Sequence, residues 1–443
     1  MIPPVPLPVP RIVVRPDAPA LDTPLDIRLE HFPPDVEVTV RTGTRDLLGR
    51  RWAARAAFVT DEAGAVDVPT QAPLAGSYRK ADPMGLIWSM AEDLSGGIVE
   101  PPRDDPLPPQ ALTIAAEVEG IAGIDMVIDR LRQPLGVERA LVRSRGLVGT
   151  LFTPAGDGPH PGVILLGGGE GGLHEIDGAL LAAHGFAVLS LAYFGVEGLP
   201  RVLADVPLEY FAAAVSFLED NELVRSDRLA IMGSSRGGEA ALLVASVDAR
   251  LRAAVSVVGS GVMTQGIPPA DTLLEMIANH VSAWTQDGRP LAFLPSNVPP
   301  ELADQIGDLE LVELALSYRD GLADADAVAA ASIPVERING PVLLLSAGQD
   351  KTWPSQALTE VAAERLRKAG RPFEHVIYEG AGHSIAPPPY GPATELTTPG
   401  PERRSTTGPE LRMAHGGTPE ANAQAREDGW LRVRRFLREH LGA

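Results

Sequence analysis

The chain has 443 residues, of which 44% are hydrophobic, and this length and composition predict two domains with sizeable cores. Its formal net charge of −20 disfavours binding to nucleic acid or to an anionic membrane surface, and an anionic substrate would need a local basic patch. The chain has no cysteine, which excludes disulfides, thiolate metal sites and a thiol nucleophile. The N-terminal sequence MIPPVPLPVPRIVV lacks the basic and apolar segments of a secretory signal, so we expect a soluble cytoplasmic protein without membrane insertion.

The first 135 residues have the pattern of a small β-sandwich of immunoglobulin-like type. Short apolar runs alternate with turns rich in Pro, Gly and Asp, and no helical period interrupts them. The predicted strands cover 26–32, 36–44, 51–60 and 65–70. A proline-rich, charged linker is predicted at 95–111, so domain 1–135 comprises the sandwich and its linker.

Residues 136–443 have the pattern of a catalytic domain with the α/β-hydrolase fold. A strand pair is predicted at 138–154, and then continuous apolar runs alternate with helical patterns, as in a mostly parallel sheet covered by helices on both faces. These buried strands are predicted at 161–169, 186–194, 228–233, 253–259, 341–348 and 373–380. The interval of about 260–340 is too long for an ordinary crossover, and its mostly helical pattern predicts a cap inserted over the open end of the sheet.

The sequence Gly233-Ser234-Ser235-Arg236-Gly237 fits the pattern G-x-S-x-G with Ser235 at its centre. Five residues alone are a weak signal, because a glycine-rich turn with idle serines has the same pattern. The context strengthens it, since a buried strand precedes the motif and a helical pattern follows, as in a nucleophile elbow. We therefore predict that Ser235 is a nucleophile.

A serine nucleophile needs a base and an acid, which in this fold follow late strands in the order Ser, Asp, His. Asp350 follows the predicted strand 341–348, and His383 follows the predicted strand 373–380. The other histidines, His174 among them, are interpreted as surface or packing residues. The predicted triad is Ser235, His383 and Asp350, with His383 as the base and Asp350 stabilising its imidazolium.

The tetrahedral oxyanion of such a reaction requires N–H donors. One is predicted to be the backbone N–H of Arg236, the residue after the nucleophile. The other is predicted in the loop GGGEGG at 167–172, near Gly169 or Glu170. This loop lacks the residues of a phosphate-binding motif, and no His, Asp and Glu have metal-ligand spacing, so no cofactor and no metal are expected.

Several longer segments together carry a family resemblance, and they are GSYRKADPMGLIWSM, LLGGGEGGLHE, LAYFGVEGLP, GSSRGGEAALL, SIPVERINGPVLLLSAGQDKTWPS and GGTPEANAQAREDGWLRVRRFL. They resemble the acyl-CoA thioesterase/bile acid-CoA:amino acid N-acyltransferase (BAAT) family. The resemblance covers nearly the whole chain, and it implies a CoA thioester substrate and an acyl-enzyme that reacts with water or an amine. By position, it implies that Ser235 is the nucleophile, Asp350 the acid and His383 the base. Amine-transferring members have cysteine at the position of Ser235, so the resemblance favours hydrolysis.

The sequence thus predicts a serine hydrolase that cleaves acyl-CoA or acyl-carrier thioesters. Three alternatives stay open: an acyltransferase acting on an amine or hydroxyl, a non-catalytic binding protein on the same scaffold, and a carboxylesterase or dienelactone-type hydrolase. Oligomeric state is not predicted. Four sites could contact the CoA phosphates, although isolated cations are usually solvated, and they are Arg201, Arg236, Lys351 and the pair Arg403–Arg404.

Overall fold

The computed structural model describes residues 9–95, 105–308, 311–399 and 411–442, apart from the side chains at positions 121 and 122. The chain divides into two compact units, Met1–Leu135 with Pro388–Glu395, and Gly136–Pro387 with Leu396–Ala443. Part of the predicted linker, 96–104, lies outside the described residues.

The segment 388–395, which the sequence assigned to the second domain, belongs to the first unit. Arg50 pairs with Glu395 at 2.7 Å, and the Ala393 N–H donates a hydrogen bond of 2.8 Å to the Trp88 carbonyl. These partners lie more than 300 positions away along the chain, so no local pattern could reveal them.

Over its described residues, the first unit consists of two antiparallel sheets and one short helix. Strands β1, β2 and β5 form a three-stranded sheet, and the larger sheet has the order β6-β4-β3-β8-β9, with β7 also paired to β4. The elements are β1 (Arg11–Arg15), β2 (Asp26–Glu30), β3 (Glu37–Arg45), β4 (Arg51–Val59), β5 (Val66–Asp67), β6 (Ala75–Gly76), α1 (Gly85–Trp88), β7 (Ala91–Glu92), β8 (Gln110–Val118) and β9 (Ile121–Arg130).

Each sheet of this unit buries alternate side chains, as expected for a two-layer sandwich. Val38 and Val40 on β3 are fully buried, and so are Ile27 and Leu29 on β2. The predicted all-β N-terminal domain is confirmed. Strand β9 was not predicted, although Ile124, Met126 and Ile128 alternate along it with the exposed Asp125 and Asp129, and it pairs with β8.

The second unit contains a sheet of eight strands. Their order is β10-β11-β13-β12-β15-β16-β20-β21, in which β11 is antiparallel to both neighbours and the others run parallel. The strands of this sheet are β10 (Glu138–Val142), β11 (Val148–Thr153), β12 (His160–Leu166), β13 (Ala187–Ala192), β15 (Val224–Ser234), β16 (Leu251–Val257), β20 (Val342–Ala347) and β21 (Phe373–Tyr378). This arrangement is the α/β-hydrolase fold, and the predicted fold class is confirmed.

In the ranges that the structure describes, five helices pack against this sheet, and the chain order brings the loops after β12, β15, β20 and β21 to its carboxyl edge. Apolar strands such as β20 are buried along their whole length, as expected for a parallel sheet. The helices are α2 (Glu175–Ala182), α3 (Leu208–Glu219), α4 (Arg236–Val247), α9 (Ser355–Lys368) and α10 (Pro419–Leu441). Ligand sites of open α/β sheets lie at this edge.

The segment 260–340 is less helical than predicted. The sequence of 301–318 has a helical pattern, but the helix ends at Gly307, and Leu311–Val312 pairs with Arg412–Ala414 in a small sheet. This pairing is a tertiary contact that overrides the local helical spacing. The role of the segment as a cap stays a prediction. Short elements in and around it are β14 (Val206–Pro207), α5 (Leu273–Ala278), β17 (Trp284–Gln286), β18 (Arg289–Pro290), α6 (Pro300–Gly307), β19 (Leu311–Val312), α7 (Arg319–Ala323), α8 (Ala325–Ala331), β22 (Thr397–Pro399) and β23 (Arg412–Ala414), with two 3-10 helices at Leu314–Tyr318 and Val335–Arg337.

The longest helix, α10, has 23 residues and packs against the sheet through one apolar face. Trp430, Val433 and Leu437 are buried on that face. Its other positions are rich in charge, and none of the helices in the described ranges is long and apolar enough to cross a membrane. The cytoplasmic location stays a prediction.

Candidate active site

Ser235 lies at a sharp turn between strand β15 and helix α4, with φ of 56° and ψ of −121°. A positive φ is strained for a residue with a side chain, and the surrounding backbone must hold it. The Ser235 N–H donates to the Val257 carbonyl at 2.8 Å, and the Ser235 carbonyl accepts from the N–H groups of Gly238 and Glu239. The turn therefore has the geometry of a nucleophile elbow.

The two glycines of the G-x-S-x-G motif leave room for this turn. A Cβ atom on Gly233 would lie 2.2 Å from the Gly237 carbonyl oxygen, and a Cβ atom on Gly237 would lie 2.3 Å from the Gly167 carbonyl oxygen. Both distances are far below van der Waals contact, so only glycine fits at either position. Close packing therefore requires the two glycines of the motif, independently of the chemistry of the serine.

The three predicted triad residues form a chain of hydrogen bonds. His383 Nε2 lies 3.0 Å from Ser235 Oγ, and His383 Nδ1 lies 2.8 Å from Asp350 Oδ2. The other oxygen of Asp350 accepts the N–H groups of Thr352 and Trp353 at 3.0 and 3.1 Å, which fixes the carboxylate. This arrangement can transfer a proton from the serine hydroxyl to the imidazole.

The electrostatic surroundings of His383 favour its cation. Burial alone would lower the pKa of His383, but the charge and hydrogen bond of Asp350, and the charge of Glu170, outweigh burial and raise it. The imidazole is therefore a stronger base than a free histidine side chain.

The segment 414–418 joins the loops that carry the acid and the base. The His415 carbonyl accepts the N–H groups of His383 at 2.8 Å and of Lys351 at 3.2 Å. Gly416 has φ of +78°, and a Cβ atom there would lie 1.8 Å from the Gln349 carbonyl oxygen. Sequence reasoning noted this segment only as part of the family resemblance, and the structure gives it a positional role.

The predicted oxyanion donors lie around the elbow. Arg236 begins helix α4, and within the described ranges no backbone carbonyl accepts its N–H or that of Gly169. A Cβ atom on Gly168 would lie 3.2 Å from the Cβ atom of Ser235, so the glycine loop borders the nucleophile. The Glu170 carboxylate turns back onto the loop and accepts the Gly168 N–H at 2.9 Å, and the choice between Gly169 and Glu170 as loop donor stays a prediction.

Sequence reasoning missed a cluster of charged side chains beside this loop. His174 Nε2 lies 2.7 Å from Glu170 Oε1, and its Nδ1 lies 3.5 Å from Asp177 Oδ2. Burial alone would lower the pKa of His174, but the hydrogen bonds and charges of the two carboxylates raise it to about 10. His174 therefore lies between two carboxylates beside the glycine loop, a position that its interpretation as a surface or packing residue did not include. The spacing of Glu170 and His174, four residues apart, was the available signal.

These groups do not form a metal site. Over the part of the chain that the structure describes, no set of three His, Asp or Glu side chains is arranged to hold a metal ion.

The Arg236 side chain is buried beneath the elbow, with 4% of its surface exposed. Its guanidinium pairs with Glu239 at 3.0 Å and lies 5.7 Å from the ring centroid of Trp353. Arg236 therefore cannot neutralise CoA phosphates, which corrects one predicted contact. Lys351 pairs with Glu313 at 2.8 Å, and Arg201 is exposed. The pair Arg403–Arg404 lies outside the described residues.

Glu239, which has no exposed surface, accepts hydrogen bonds from several groups besides Arg236. Thr264 donates its hydroxyl at 2.7 Å and its N–H at 3.2 Å, and the Trp284 indole donates at 2.7 Å. Burial raises the pKa of Glu239, and these partners act against that effect. The network ties the first turn of α4 to the inserted segment, so Glu239 has a structural role.

Comparison with known proteins agrees with the resemblance. Residues 206–443 match the model described as BAAT/acyl-CoA thioester hydrolase C terminal, and residues 22–144 match that of the acyl-CoA thioester hydrolase/BAAT N-terminal region. The chain is 31% identical to acyl-coenzyme A thioesterase 6 of Homo sapiens, over 95% of this chain and 94% of the relative. It is 29% identical to peroxisomal succinyl-coenzyme A thioesterase of Mus musculus, over the same shares. The chain therefore belongs to the acyl-CoA thioester hydrolase/BAAT family of enzymes.

Proposed function

We propose that the protein is a serine acyl-CoA thioesterase, which converts an acyl-CoA and water to the free acid and CoA. The observation that carries the proposal is the hydrogen-bonded chain from Ser235 through His383 to Asp350, at a nucleophile elbow. The relatives named as acyl-coenzyme A thioesterases support the choice of thioester.

In the first half of the reaction, Ser235 Oγ attacks the thioester carbonyl carbon while His383 Nε2 takes the hydroxyl proton. The carbonyl oxygen becomes an oxyanion, which accepts the N–H groups of Arg236 and Gly169. The carbon–sulfur bond then breaks, and the CoA sulfur leaves with the proton from His383. Asp350 holds the imidazole in the required orientation and stabilises its positive charge.

In the second half, His383 takes a proton from water, and the resulting hydroxide attacks the acyl-serine ester. The tetrahedral intermediate uses the same two N–H donors, and its collapse returns the proton to Ser235 Oγ and releases the acid. Ser235 supports water as the acceptor, because an oxygen ester is less biased towards aminolysis than the thioester that a cysteine would form.

The proposal is tested by thiol release from a panel of acyl-CoA esters of different chain lengths, with and without glycine or taurine. The chain has no cysteine, so a thiol reagent detects released CoA without a protein background. Wild type is compared with Ser235→Ala and with the matched control Ser234→Ala, and the acyl product is identified by mass.

We expect Ser235→Ala to lower kcat by a factor of at least about 10³, and Ser234→Ala to leave kcat within about threefold of wild type. The product should be the free acid whether or not an amine is present. An amide product would make the protein a transferase. Absence of thiol release from every ester by the wild type would refute acyl-CoA hydrolysis.

A further inference from the structure

The glycine loop at 167–172 carries a proposed oxyanion donor, yet its composition gives it little intrinsic rigidity. Its two ends are held by hydrogen bonds. The hydroxyl of the buried Tyr193 donates to the Gly167 carbonyl at 2.8 Å, and the Gly172 N–H donates to the Phe194 carbonyl at 3.3 Å. Its middle must also be fixed, because a misplacement of about 1 Å in a catalytic group can cost about 100-fold in rate.

The Glu170 side chain fixes the middle of the loop. Its Oε1 accepts the N–H of Gly168 at 2.9 Å and lies 2.7 Å from Nε2 of His174. The His174 ring lies directly against the loop, because a Cβ atom on Gly167 would be 2.2 Å from Nε2. One carboxylate oxygen therefore links the loop backbone to a cation at the start of helix α2.

Further contacts hold His174 in place. Its Nδ1 faces Asp177 at 3.5 Å, and its backbone carbonyl accepts the Ser190 hydroxyl at 3.0 Å. Asp177 is buried, with 8% of its surface exposed. The imidazolium is therefore held between two carboxylates and anchored to strand β13 through Ser190.

We propose that Glu170, paired with His174, is a positioning residue that orients the glycine loop, so that the Gly169 N–H points to the oxyanion formed on Ser235. The inference rests on the proposed function. It differs from the prediction that Glu170 supplies an N–H donor, because the carboxylate acts here as an acceptor within the loop.

The charge of the pair has a second consequence. A Cβ atom on Gly168 would lie 2.7 Å from Glu170 Oε2 and 3.2 Å from the Cβ atom of Ser235, so the carboxylate is close to the reacting atoms. An unpaired carboxylate at this distance would repel the oxyanion. His174 neutralises it, so that the loop gains a strong acceptor without that repulsion.

The test uses the full-length protein with the variants Glu170→Ala, Glu170→Gln and His174→Gln. The control is Glu364→Ala, which removes an exposed i,i+4 ion pair with Lys368 on helix α9. Three quantities are measured for each: kcat and KM for the best acyl-CoA, the Kd of a non-hydrolysable acyl-CoA thioether, and the inhibition constant of an alkyl trifluoromethyl ketone. The ketone forms a tetrahedral oxyanion adduct with serine, so its affinity reports the oxyanion site.

We expect Glu170→Ala to lower kcat and the affinity for the ketone together, by about 10- to 100-fold, with KM and the Kd of the thioether within about twofold of wild type. Glu170→Gln keeps an acceptor for the Gly168 N–H, so its kcat and its affinity for the ketone should fall less than those of Glu170→Ala. His174→Gln should also lower kcat and the affinity for the ketone, and Glu364→Ala should match wild type in all three measured quantities.

Unchanged affinity for the ketone in Glu170→Ala would overturn the inference, as would an equal loss of affinity for the ketone and the thioether. If Glu170→Ala fails to fold, the affinities of Glu170→Gln for the ketone and for the thioether are compared in the same way. Failure of the proposed function is distinguishable, because the wild type would then neither release thiol nor bind the ketone more tightly than Ser235→Ala does.

Discussion

Removal of the buried carboxylate of Glu239 should strongly destabilise the second unit. In the substitution Glu239→Ala, Arg236 keeps a buried positive charge without its counterion, since 4% of its surface is exposed. The Thr264 hydroxyl and the Trp284 indole also lose the acceptor that each contacts at 2.7 Å.

The magnitude follows from the number of groups left without a partner. Breaking a buried ion pair from one side costs about 3–5 kcal/mol. A buried donor without an acceptor costs about 1–3 kcal/mol, but these costs overlap and do not add in full. We therefore expect the free energy of unfolding to fall by about 3–5 kcal/mol, a large part of the roughly 5–15 kcal/mol that stabilises a typical domain.

The assay is urea unfolding followed by tryptophan fluorescence, because Trp284 and Trp353 are buried in this unit. The matched control is Glu301→Ala, which removes an ion pair with Arg319 whose side chains are 59% and 49% exposed. The control should leave the unfolding midpoint unchanged, since solvent already screens that pair.

A double-mutant cycle separates the ion pair from the other contacts. Arg236→Met combined with Glu239→Leu should cost less than the sum of the single substitutions, because the double variant leaves no unpaired charge. Additive costs, or a loss below about 1 kcal/mol in Glu239→Ala, would refute the interpretation of the network as a buried support of the elbow.

Two further predictions concern pH and backbone strain. His383 must be neutral to act as a base and its pKa is raised, so kcat/KM should fall with decreasing pH through a midpoint above about 6.5. Glu170→Gln should move that midpoint to lower pH, because the charge of Glu170 helps to raise the pKa of His383. Equal midpoints in the pH–rate profiles of wild type and Glu170→Gln would contradict this. Gly416→Ala should cost about 1–3 kcal/mol in strain and lower kcat at least tenfold, because the new Cβ atom would lie 1.8 Å from the Gln349 carbonyl oxygen. The control is Gly146→Ala. Gly146 has φ of +74°, and a Cβ atom there would have no atom within 4 Å, so this variant should lose stability but keep its kcat. Equal kcat in the two variants would refute the positional role of segment 414–418.

The elements that sequence patterns predicted well are those whose environment is uniform along their length. The central strands of the large sheet are buried on both faces, so they are continuous apolar runs, as in Val342–Ala347. Ser235 and Asp350 follow such strands and His383 follows the half-buried Phe373–Tyr378, and their order along the chain already indicated that they meet at one edge of the sheet. The motif around Ser235 could also be recognised in the sequence, because a tight strand-to-helix turn requires glycines next to the serine.

Other elements depended on partners remote in sequence. The helical spacing through 301–318 was a sound local signal, but pairing of Leu311–Val312 with Arg412–Ala414 converted part of it to a strand. There the hydrogen bonds of a neighbouring strand outweighed intrinsic preference. Strand β9 differs, since Ile124, Met126 and Ile128 alternate with exposed residues and its partner β8 directly precedes it, so the sequence did contain its signal.

The sequence by itself determined the fold class, the family and the order of the nucleophile, acid and base, because these follow from local periodicity and from motifs of neighbouring residues. Only the tertiary structure decided which charges are buried and with which partners. Arg236 was a candidate for contact with phosphate, but it pairs with Glu239, and His174, interpreted as a surface or packing residue, lies beside two carboxylates. The physical reason is that burial and ion pairing depend on three-dimensional distance, which the order of residues along a chain does not record.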